Sequence, residues 1–435
     1  MPGDAFGPSL TLVGRHVELV PLDRTLAPAL IRWLRDPSIL QFFRAPPGTS
    51  ERALGAWFES TLEGAREGNI RPFATILRAT RAPIGMTQFL RIDRSSRGVE
   101  IGFTWVAPPF WRSPVNTEAK RLMLAHAFEE AHFHRVQLQT DLRNVRSQRA
   151  IEGLGAVLEA RLREDVALRD GSYRTSVYYS ILESEWPAVK ARLDVRLGRP
   201  WDPAAVLGGT ADPCPVPTLT RPAGAPPLPP IEFRSPITLV GPHVHLVPLD
   251  RGDLPELTLA GAAPEIWPLL RIRHGDTPEG MAGLVDDLLN LRAAGEVLPF
   301  TVRLHPSNRA VGIARYLDID RPNRWVEVGT WLHPSVWRTS VNTELKLLLL
   351  RHAFEVSGVH RVQLKTDDRN DRSQRAIERL GAVEEGARRE HYRFPDGRYR
   401  TSKYYSILDR EWPTVRERLE LLLQRPAPGA TSSAT

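Results

Sequence analysis

The sequence of 435 residues contains a single cysteine, Cys214. One thiol can form neither an internal disulfide nor a cysteine metal cluster. The sequence also lacks an uninterrupted apolar run near the ~18 residues that a membrane helix needs. Residues 1–8 lack the basic and apolar stretches of a secretory signal. From these absences we expect a cytoplasmic protein that has no membrane segment and no metal site.

Neither sign of charge dominates the composition. The chain has 58 Lys and Arg against 51 Asp and Glu, a net charge of +7 and a pI of about 9.8. A basic surface can bind nucleic acid, but this excess is small for the length of the chain. We therefore do not expect nucleic acid to be a partner. The hydrophobic content of 42% is typical of a soluble globular protein.

What the sequence does contain is an internal repeat. Residues 11–24 return as 238–251, 134–157 return as 360–383 with 20 of 24 positions identical, and 173–182 return as 399–408. The spacing is 227 residues at the first block and 226 at the later ones, so one copy is a residue shorter. A unit of this size can bury its own core. The chain therefore contains two tandem copies of one domain.

A proline-rich segment separates the copies. Residues 198–230 include ten prolines, which fit neither a helix nor an interior strand, so we predict a semi-rigid spacer. We assign 9–197 to the first copy, 198–235 to the linker, 236–425 to the second copy and 426–435 to a disordered tail. We expect the copies to form an intramolecular pseudo-dimer, and the chain could also form a homo-oligomer.

Strand and helix patterns are mixed within each copy. In the first copy, strand patterns cover 11–21, 73–78, 84–92, 99–106 and 135–140, and a hairpin follows at 158–182. Helical spacing covers 26–35, 51–67, 116–131 and 147–154. We predict the α/β class, with a mixed sheet flanked by helices in each copy.

The segment best suited to bind phosphate precedes the longest helix. It reads Trp111-Arg-Ser-Pro-Val-Asn-Thr-Glu118, and its copy reads Trp337-Arg-Thr-Ser-Val-Asn-Thr-Glu344. A helix start offers unpaired N–H groups and the positive end of a dipole, and an arginine adds a bidentate partner. The alternative is an ordinary helix that Asn116 and Asn342 cap.

A second pair of polar residues follows the next strand. Asn144 and Ser147, with their copies Asn370 and Ser373, stand between that strand and a short helix. Side chains of these types often cap a helix, and taken alone this reading is favoured. The alternative is that they line a ligand site.

A glutamate interrupts an otherwise apolar strand in each copy. Glu100 stands in Val99-Glu-Ile-Gly-Phe-Thr-Trp-Val106, and Glu327 is its copy. A carboxylate in such a strand either faces solvent or lines a cleft. In a cleft, burial would raise its pKa and make it a usable general base.

Together these elements resemble the GNAT superfamily of N-acetyltransferases, in the branch of the ribosomal-protein serine/alanine N-acetyltransferases. The matching motifs are Glu-Ile-Gly-x-x-Trp-Val-x-Pro (100–108), Trp-Arg-x-x-Val-Asn-Thr-Glu-Ala-Lys (111–120), His-Ala-Phe-Glu (126–129), Thr-Asp-x-Arg-Asn-x-x-Ser (140–147) and Ile-Glu-x-Leu-Gly-Ala (151–156). They occur in the same order over nearly all of both copies, which makes the resemblance specific.

The resemblance implies a sheet that is splayed between its fourth and fifth strands, with acetyl-CoA in the gap. The pantetheine arm would follow the strand edge, and the pyrophosphate would lie on the loop and helix start. The implied cofactor-binding residues are Trp105, Val106, Arg112, Ser113, Val115, Asn116, Thr117 and Asn144 in the first copy, and Leu332, Arg338, Thr339, Ser340, Val341, Asn342, Thr343 and Asn370 in the second.

The resemblance also implies direct attack of a neutral amine on the thioester. Glu100 and Glu327 are then the predicted bases, and Ser147 and Ser373 the predicted proton donors to the thiolate. The tyrosine that serves as general acid in many relatives would fall at an isoleucine, so that role stays open.

One departure from the family pattern separates the copies. Pro114 stands where the family often has a glycine, and it has no N–H to offer a phosphate, whereas Ser340 keeps one. The sequence therefore predicts that the second copy is the more active.

We predict an N-acetyltransferase that moves an acetyl group from acetyl-CoA to a primary amine. The acceptor, a protein N-terminus or a small molecule, is not identified by the sequence. The alternative is a catalytically degenerate acyl-CoA-binding or scaffold protein. The presence of the glutamate and asparagine motifs in both copies favours the enzyme.

Overall fold

The computed structural model describes residues 5–43, 50–168, 171–204, 231–233, 237–270 and 275–424. Cys214, most of the predicted linker (198–235) and the predicted tail (426–435) lie outside the described residues. Within the described ranges, no helix is long and apolar enough to cross a membrane.

The first copy alternates strands and helices. Its strands are β1 (Leu12–Val13), β2 (Val17–Pro21), β3 (Ile70–Leu77), β4 (Ala82–Asp93), β5 (Gly98–Val106), β6 (Arg135–Asp141), β7 (Val157–Ala167) and β8 (Tyr173–Leu182). Its helices are α1 (Ala27–Leu34), α2 (Pro37–Leu40), α3 (Glu51–Arg66), α4 (Val115–Ala125), α5 (Val145–Leu154) and α6 (Trp186–Leu197).

The second copy follows the same plan. Its strands are β9 (Leu239–Val240), β10 (Val244–Pro248), β11 (Leu298–Leu304), β12 (Ala310–Asp320), β13 (Trp325–Leu332), β14 (Arg361–Asp367), β15 (Val383–Arg393) and β16 (Tyr399–Leu408). Its helices are α7 (Leu254–Gly261), α8 (Pro278–Ala293), α9 (Val341–Arg351), α10 (Asp371–Leu380) and α11 (Trp412–Gln424). The structure thus confirms the predicted α/β class.

One parallel strand pair organises each sheet. The strand order is β1-β2-β3-β4-β5-β6-β8-β7 in the first copy and β9-β10-β11-β12-β13-β14-β16-β15 in the second. β5 pairs with β6 in parallel, and β13 pairs with β14 in the same way. A parallel connection needs a crossover, and α4 and α9 provide it.

The parallel strands separate soon after they begin. The pairing covers 98–100 with 135–137, although β5 continues to Val106 and β6 to Asp141. In the second copy it covers 325–327 with 361–363. With the short β1 and β9 set aside, these are the fourth and fifth strands of each sheet, as the resemblance implies. The gap between them is the place where a ligand can enter the sheet.

A buried carboxylate fixes the long helix to the start of the sheet. Glu118 in α4 accepts hydrogen bonds from the backbone N–H groups of Arg15, His16 and Val17, each at 2.8 Å. Its counterpart, Glu344, accepts one from His243 at 2.9 Å. Because three donors converge on one carboxylate, the position of the α4 N-terminus relative to the sheet is well defined.

The chain divides into two compact units whose limits differ from those of the copies. One unit holds the described residues up to Arg161, the stretch that begins at Leu168, and Arg389–Arg400. The other holds Leu162–Ala167, the described stretch that ends at Arg388, and the residues from Thr401. Each unit therefore includes a short segment from the repeat of the other. Nothing in the repeat itself signals this exchange.

Candidate functional site

A cavity of about 300 Å³ lies where β5 and β6 separate in the first copy. Its lining includes eight of the predicted site residues: Glu100, Trp105, Val106, Arg112, Ser113, Asn116, Asn144 and Ser147. Two others are buried elsewhere, since Val115 packs in the main core and Thr117 is 5% exposed. The structure therefore brings both predicted catalytic residues of the first copy to one cleft.

The loop before α4 has a strained backbone that recurs in both copies. Arg112 has a φ of 61° and Arg338 a φ of 63°, a left-handed conformation that non-glycine residues rarely adopt. Trp111 holds the loop because its indole N–H donates to the Val106 carbonyl at 2.7 Å. Trp337 makes the same bond to Leu332 at 2.8 Å. Strain of this kind concentrates at ligand sites.

The alternative that Asn116 and Asn342 cap their helices is wrong. The cap positions are Pro114 and Ser340, and the asparagines lie inside the first turn. The Asn116 Oδ1 atom is buried and has no hydrogen-bond partner among the described residues, although the residue lines the cavity. A buried acceptor without a partner is costly, so this atom is suited to a donor on a bound ligand.

The sequence analysis missed a pair of stacked arginines. The Arg146 guanidinium lies 3.5 Å from the centre of the Trp111 ring, and Arg372 lies 3.3 Å from that of Trp337. Burial and the neighbouring Arg338 cation lower the pKa of Arg372. Two guanidinium groups held close together at a helix start favour an anionic ligand. The signal was present in the sequence, because Arg146 recurs as Arg372.

Asn144 both caps a helix and lines the cavity. Its Oδ1 accepts the Ser147 N–H at 3.0 Å, which is the N-cap geometry of α5. Asn370 makes the same contact with Ser373 at 3.0 Å in the second copy. The two alternatives for this motif are therefore compatible in the first copy.

Glu100 is buried inside the protein and does not face solvent. It is 2% exposed and lines the cavity. Its carboxylate accepts hydrogen bonds from Gln137 at 2.8 Å and from Gln139 at 2.7 Å. Arg91 approaches the same carboxylate at 3.2 Å, but its side chain is 48% exposed. The cleft alternative is thus confirmed for this residue.

The second copy places its predicted residues along the same elements. Glu327 is 4% exposed and lies 2.6 Å from the Lys365 Nζ atom. The sequence-predicted residues of this copy fall into three groups: Arg338, Thr339 and Ser340 are exposed, Asn342, Asn370 and Ser373 are half-buried, and Leu332, Val341 and Thr343 are buried.

The sequence analysis also assigned no role to the buried lysine beneath each site. Lys120 lines the cavity and donates hydrogen bonds to Thr87 at 3.1 Å and to Thr104. Lys346, its copy, donates to Thr330 at 2.6 Å. Burial lowers the pKa of Lys120 to about 7, and does the same for Lys346. These amines therefore lose their proton at a lower pH than an exposed lysine does.

The buried lysines predict a pH-dependent stability. Between about pH 7 and the ordinary lysine pKa of 10.5, the unfolded chain binds protons that the folded chain lacks. The free energy of unfolding should therefore rise as the pH rises through this window. We expect Lys120→Met and Lys346→Met together to flatten that rise. Urea unfolding at several pH values measures the free energy of unfolding. If this free energy rises equally with pH in the parent and in the double variant, the prediction is contradicted.

The sequence matches the family model of the acetyltransferase (GNAT) domain twice, over residues 16–157 and 243–383. The chain belongs to the GNAT acetyltransferase family. The two matches fall in the two copies, so the predicted tandem arrangement and the resemblance are confirmed.

Individual relatives are similar to one copy at a time. YdaF of Bacillus subtilis (strain 168), which is named as a ribosomal N-acetyltransferase, is 32% identical over 106 residues, or 24% of this chain and 57% of YdaF. The chain thus spans little more than half of that GNAT relative. A structure from T. thermophilus, assigned as an acetyltransferase, is 42% identical and covers 43% of this chain and 96% of its own, with a TM-score of 0.40.

A third relative has been solved with a cofactor. RimJ of Mycobacterium smegmatis in complex with CoA-disulfide is 21% identical and covers 43% of this chain and 95% of its own, with a TM-score of 0.39. Like the other two, it corresponds to about half of this chain or less.

Proposed function

We propose that the first copy transfers an acetyl group from acetyl-CoA to a primary amine. The observation that carries this proposal is the cavity between β5 and β6, which brings Glu100, Arg112, Asn116 and Ser147 to one cleft. GNAT membership supports acyl transfer in general. The cleft supports a working site in this copy.

The residues of the cleft fit an anionic thioester. Arg112 and Arg146 offer positive charge beside the N-terminus of α4. Asn116 Oδ1 and the buried Trp105 indole N–H have no hydrogen-bond partner within the described residues, and a bound ligand could satisfy both. When bound there, acetyl-CoA supplies an activated acyl group. The chain itself supplies orientation, charge and proton transfer.

Glu100 is the residue best placed to take a proton from the acceptor. It is held by the neutral side-chain amides of Gln137 and Gln139, and the one cation that contacts it among the described residues, Arg91, is half exposed. An acceptor amine enters as an ammonium ion and must lose a proton before it can attack. We assign that proton to Glu100, directly or through a water molecule. Ser147, which lines the same cavity, is the proposed donor to the departing thiolate.

A protein N-terminus is one acceptor class to test first. The relative YdaF is named as a ribosomal N-acetyltransferase, and an N-terminal amine is a primary amine that fits the chemistry above. Small amines are the other class. Both contain the same nucleophile, so the cleft chemistry is common to the two.

The proposal is tested by turnover of acetyl-CoA in the full chain. We expect thiol release that depends on an added amine, measured against a panel of N-terminal peptides, polyamines and aminoglycosides. Heat-inactivated protein and acetyl-CoA without an amine are the controls. Binding of acetyl-CoA without turnover on any amine would contradict the proposed function and favour an acyl-CoA-binding protein.

A further inference from the structure

One residue of the strand beside the cleft distinguishes the copies. The first copy has Glu100-Ile-Gly-Phe-Thr-Trp105 where the second has Glu327-Val-Gly-Thr-Trp331. The spacing between matched residues changes from 227 to 226 inside this segment, so Phe103 is the residue without a counterpart. The single difference in length between the aligned blocks thus falls at the candidate site.

The extra residue forms a β-bulge. The pairing of β4 with β5 runs from Met86–Trp105 to Gln88–Gly102, so two residues of β5 oppose Thr87 alone. Phe103 has a φ of 48°. In the second copy the pairing of β12 with β13 is regular from Gly312–Leu332 to Leu317–Glu327. Bulges occur beside active sites because they redirect the backbone, and β13 has none at this point.

The second difference concerns the charge next to the glutamate. The first copy has Gln139 against Glu100, whereas the second has Lys365 against Glu327 at 2.6 Å. The Lys365 side chain is 10% exposed. Burial alone would lower the pKa of Lys365, but Glu327, Tyr404 and Asp318 together outweigh burial and raise that pKa. A buried ammonium therefore lies directly against the Glu327 carboxylate, where the first copy has a neutral amide against Glu100. The half-exposed Arg91 near Glu100 is better screened by solvent.

The part of the site that suits phosphate is unchanged. Arg338 has the same left-handed backbone as Arg112, and Arg372 stacks on Trp337 as Arg146 does on Trp111. Ser340 also keeps the N–H that Pro114 lacks. The second copy thus combines an intact anion-binding loop with an altered reaction centre.

From these differences we propose that the second copy is a CoA-binding site without acetyl transfer, and that the first copy carries all turnover. The inference rests on the proposed function for the first copy. It departs from the expectation, based on Pro114 alone, that the second copy is the more active. The ligand class is a CoA thioester or free CoA, held mainly through its phosphates.

Binding stoichiometry tests the first half of this inference. Calorimetry of the full chain with CoA should give two sites per chain, and Arg338→Glu should reduce them to one. The matched change Arg112→Glu should remove the other site. A parent chain that binds a single CoA, or an Arg338→Glu variant that still binds two, would overturn the second site.

A gain of function tests the second half. In a Glu100→Gln chain, we expect a phenylalanine inserted between Gly329 and Thr330, together with Lys365→Gln, to raise the residual kcat by at least ~10-fold, since a general base is worth more than that. Lys365→Gln alone, which leaves the strand length unaltered, should give a smaller gain. Retention of two CoA sites shows that each variant is folded.

The outcomes separate the inference from the proposed function. If Glu327→Gln lowers kcat as much as Glu100→Gln does, the second copy is catalytic and the inference fails while the proposed function stands. If the parent chain binds two CoA but acetylates no amine, the proposed function fails and the second binding site stands. Folded variants that gain no activity would overturn the assignment of the defect to Phe103 and Lys365.

Discussion

Replacement of Glu100 by glutamine is expected to lower kcat by about 10²–10⁴-fold, the usual contribution of a general base. The Kd for acetyl-CoA should stay nearly the same. Glutamine keeps the size of the side chain and one acceptor oxygen, so the change removes basicity with little change in packing. Steady-state kinetics and calorimetry on the full chain measure the two quantities.

The same substitution at Glu327 is the matched control for this prediction. Glu327 occupies the equivalent position, but Lys365 lies 2.6 Å from it, so its loss should cost far less turnover. A large fall in kcat for Glu327→Gln with a small one for Glu100→Gln would reverse the assignment of the copies. If neither change lowers kcat, the proton of the acceptor amine leaves by another route.

Replacement of Glu385 by glutamine is expected to destabilise the protein by about 3–5 kcal/mol, the usual cost of an unpaired buried charge. The Arg361 side chain is 0% exposed and donates to both carboxylate oxygens of Glu385, at 2.6 and 2.7 Å. A neutral amide cannot compensate the positive charge of the guanidinium. Urea unfolding followed by circular dichroism measures the loss.

The neighbouring glutamate provides the control for this stability prediction. The Glu384 side chain is 45% exposed, and the Lys403 Nζ atom lies 3.5 Å from its carboxylate. Glu384→Gln should therefore change the free energy of unfolding by less than ~1 kcal/mol. A double change, Arg361→Met with Glu385→Met, should recover part of the loss because no unpaired charge remains. Equal effects at Glu384 and Glu385 would show that burial of the pair does not matter.

The exchanged segments show a limit of reasoning from a repeat. The copies were found by identity along the chain, and identity records which residues match. It does not record which copy of a segment packs in which compact unit. Arg389–Arg400 belongs by sequence to the second copy, yet it lies in the unit that contains the first cleft. Only three-dimensional contacts distinguish the two arrangements, because both satisfy the same hydrophobic pattern.

Some parts of the candidate site were also predicted from the sequence, whereas others were not. The motifs at 100–108, 111–120 and 140–147 were enough to predict the cleft, because their resemblance to the GNAT superfamily implies a gap between the fourth and fifth strands. The roles of Lys120, Arg146 and Lys365 were not predicted. Each becomes important through a neighbour distant in sequence: Thr104, Trp111 and Glu327 respectively. Periodicity gives no information on such pairs.

The sequence by itself determined the tandem repeat, the α/β class, the family and eight of the residues that line the first cleft. The repeat and the class follow from patterns among residues in the chain, whereas the family and the cleft residues follow from the resemblance of ordered motifs to the GNAT superfamily. Only the tertiary structure showed that Phe103 forms a bulge and that Lys365 lies against Glu327. The physical reason is that register and charge pairing depend on which strands lie side by side. The one-residue difference in length between the copies can therefore be recognised as a bulge only from the pairing of β5 with β4.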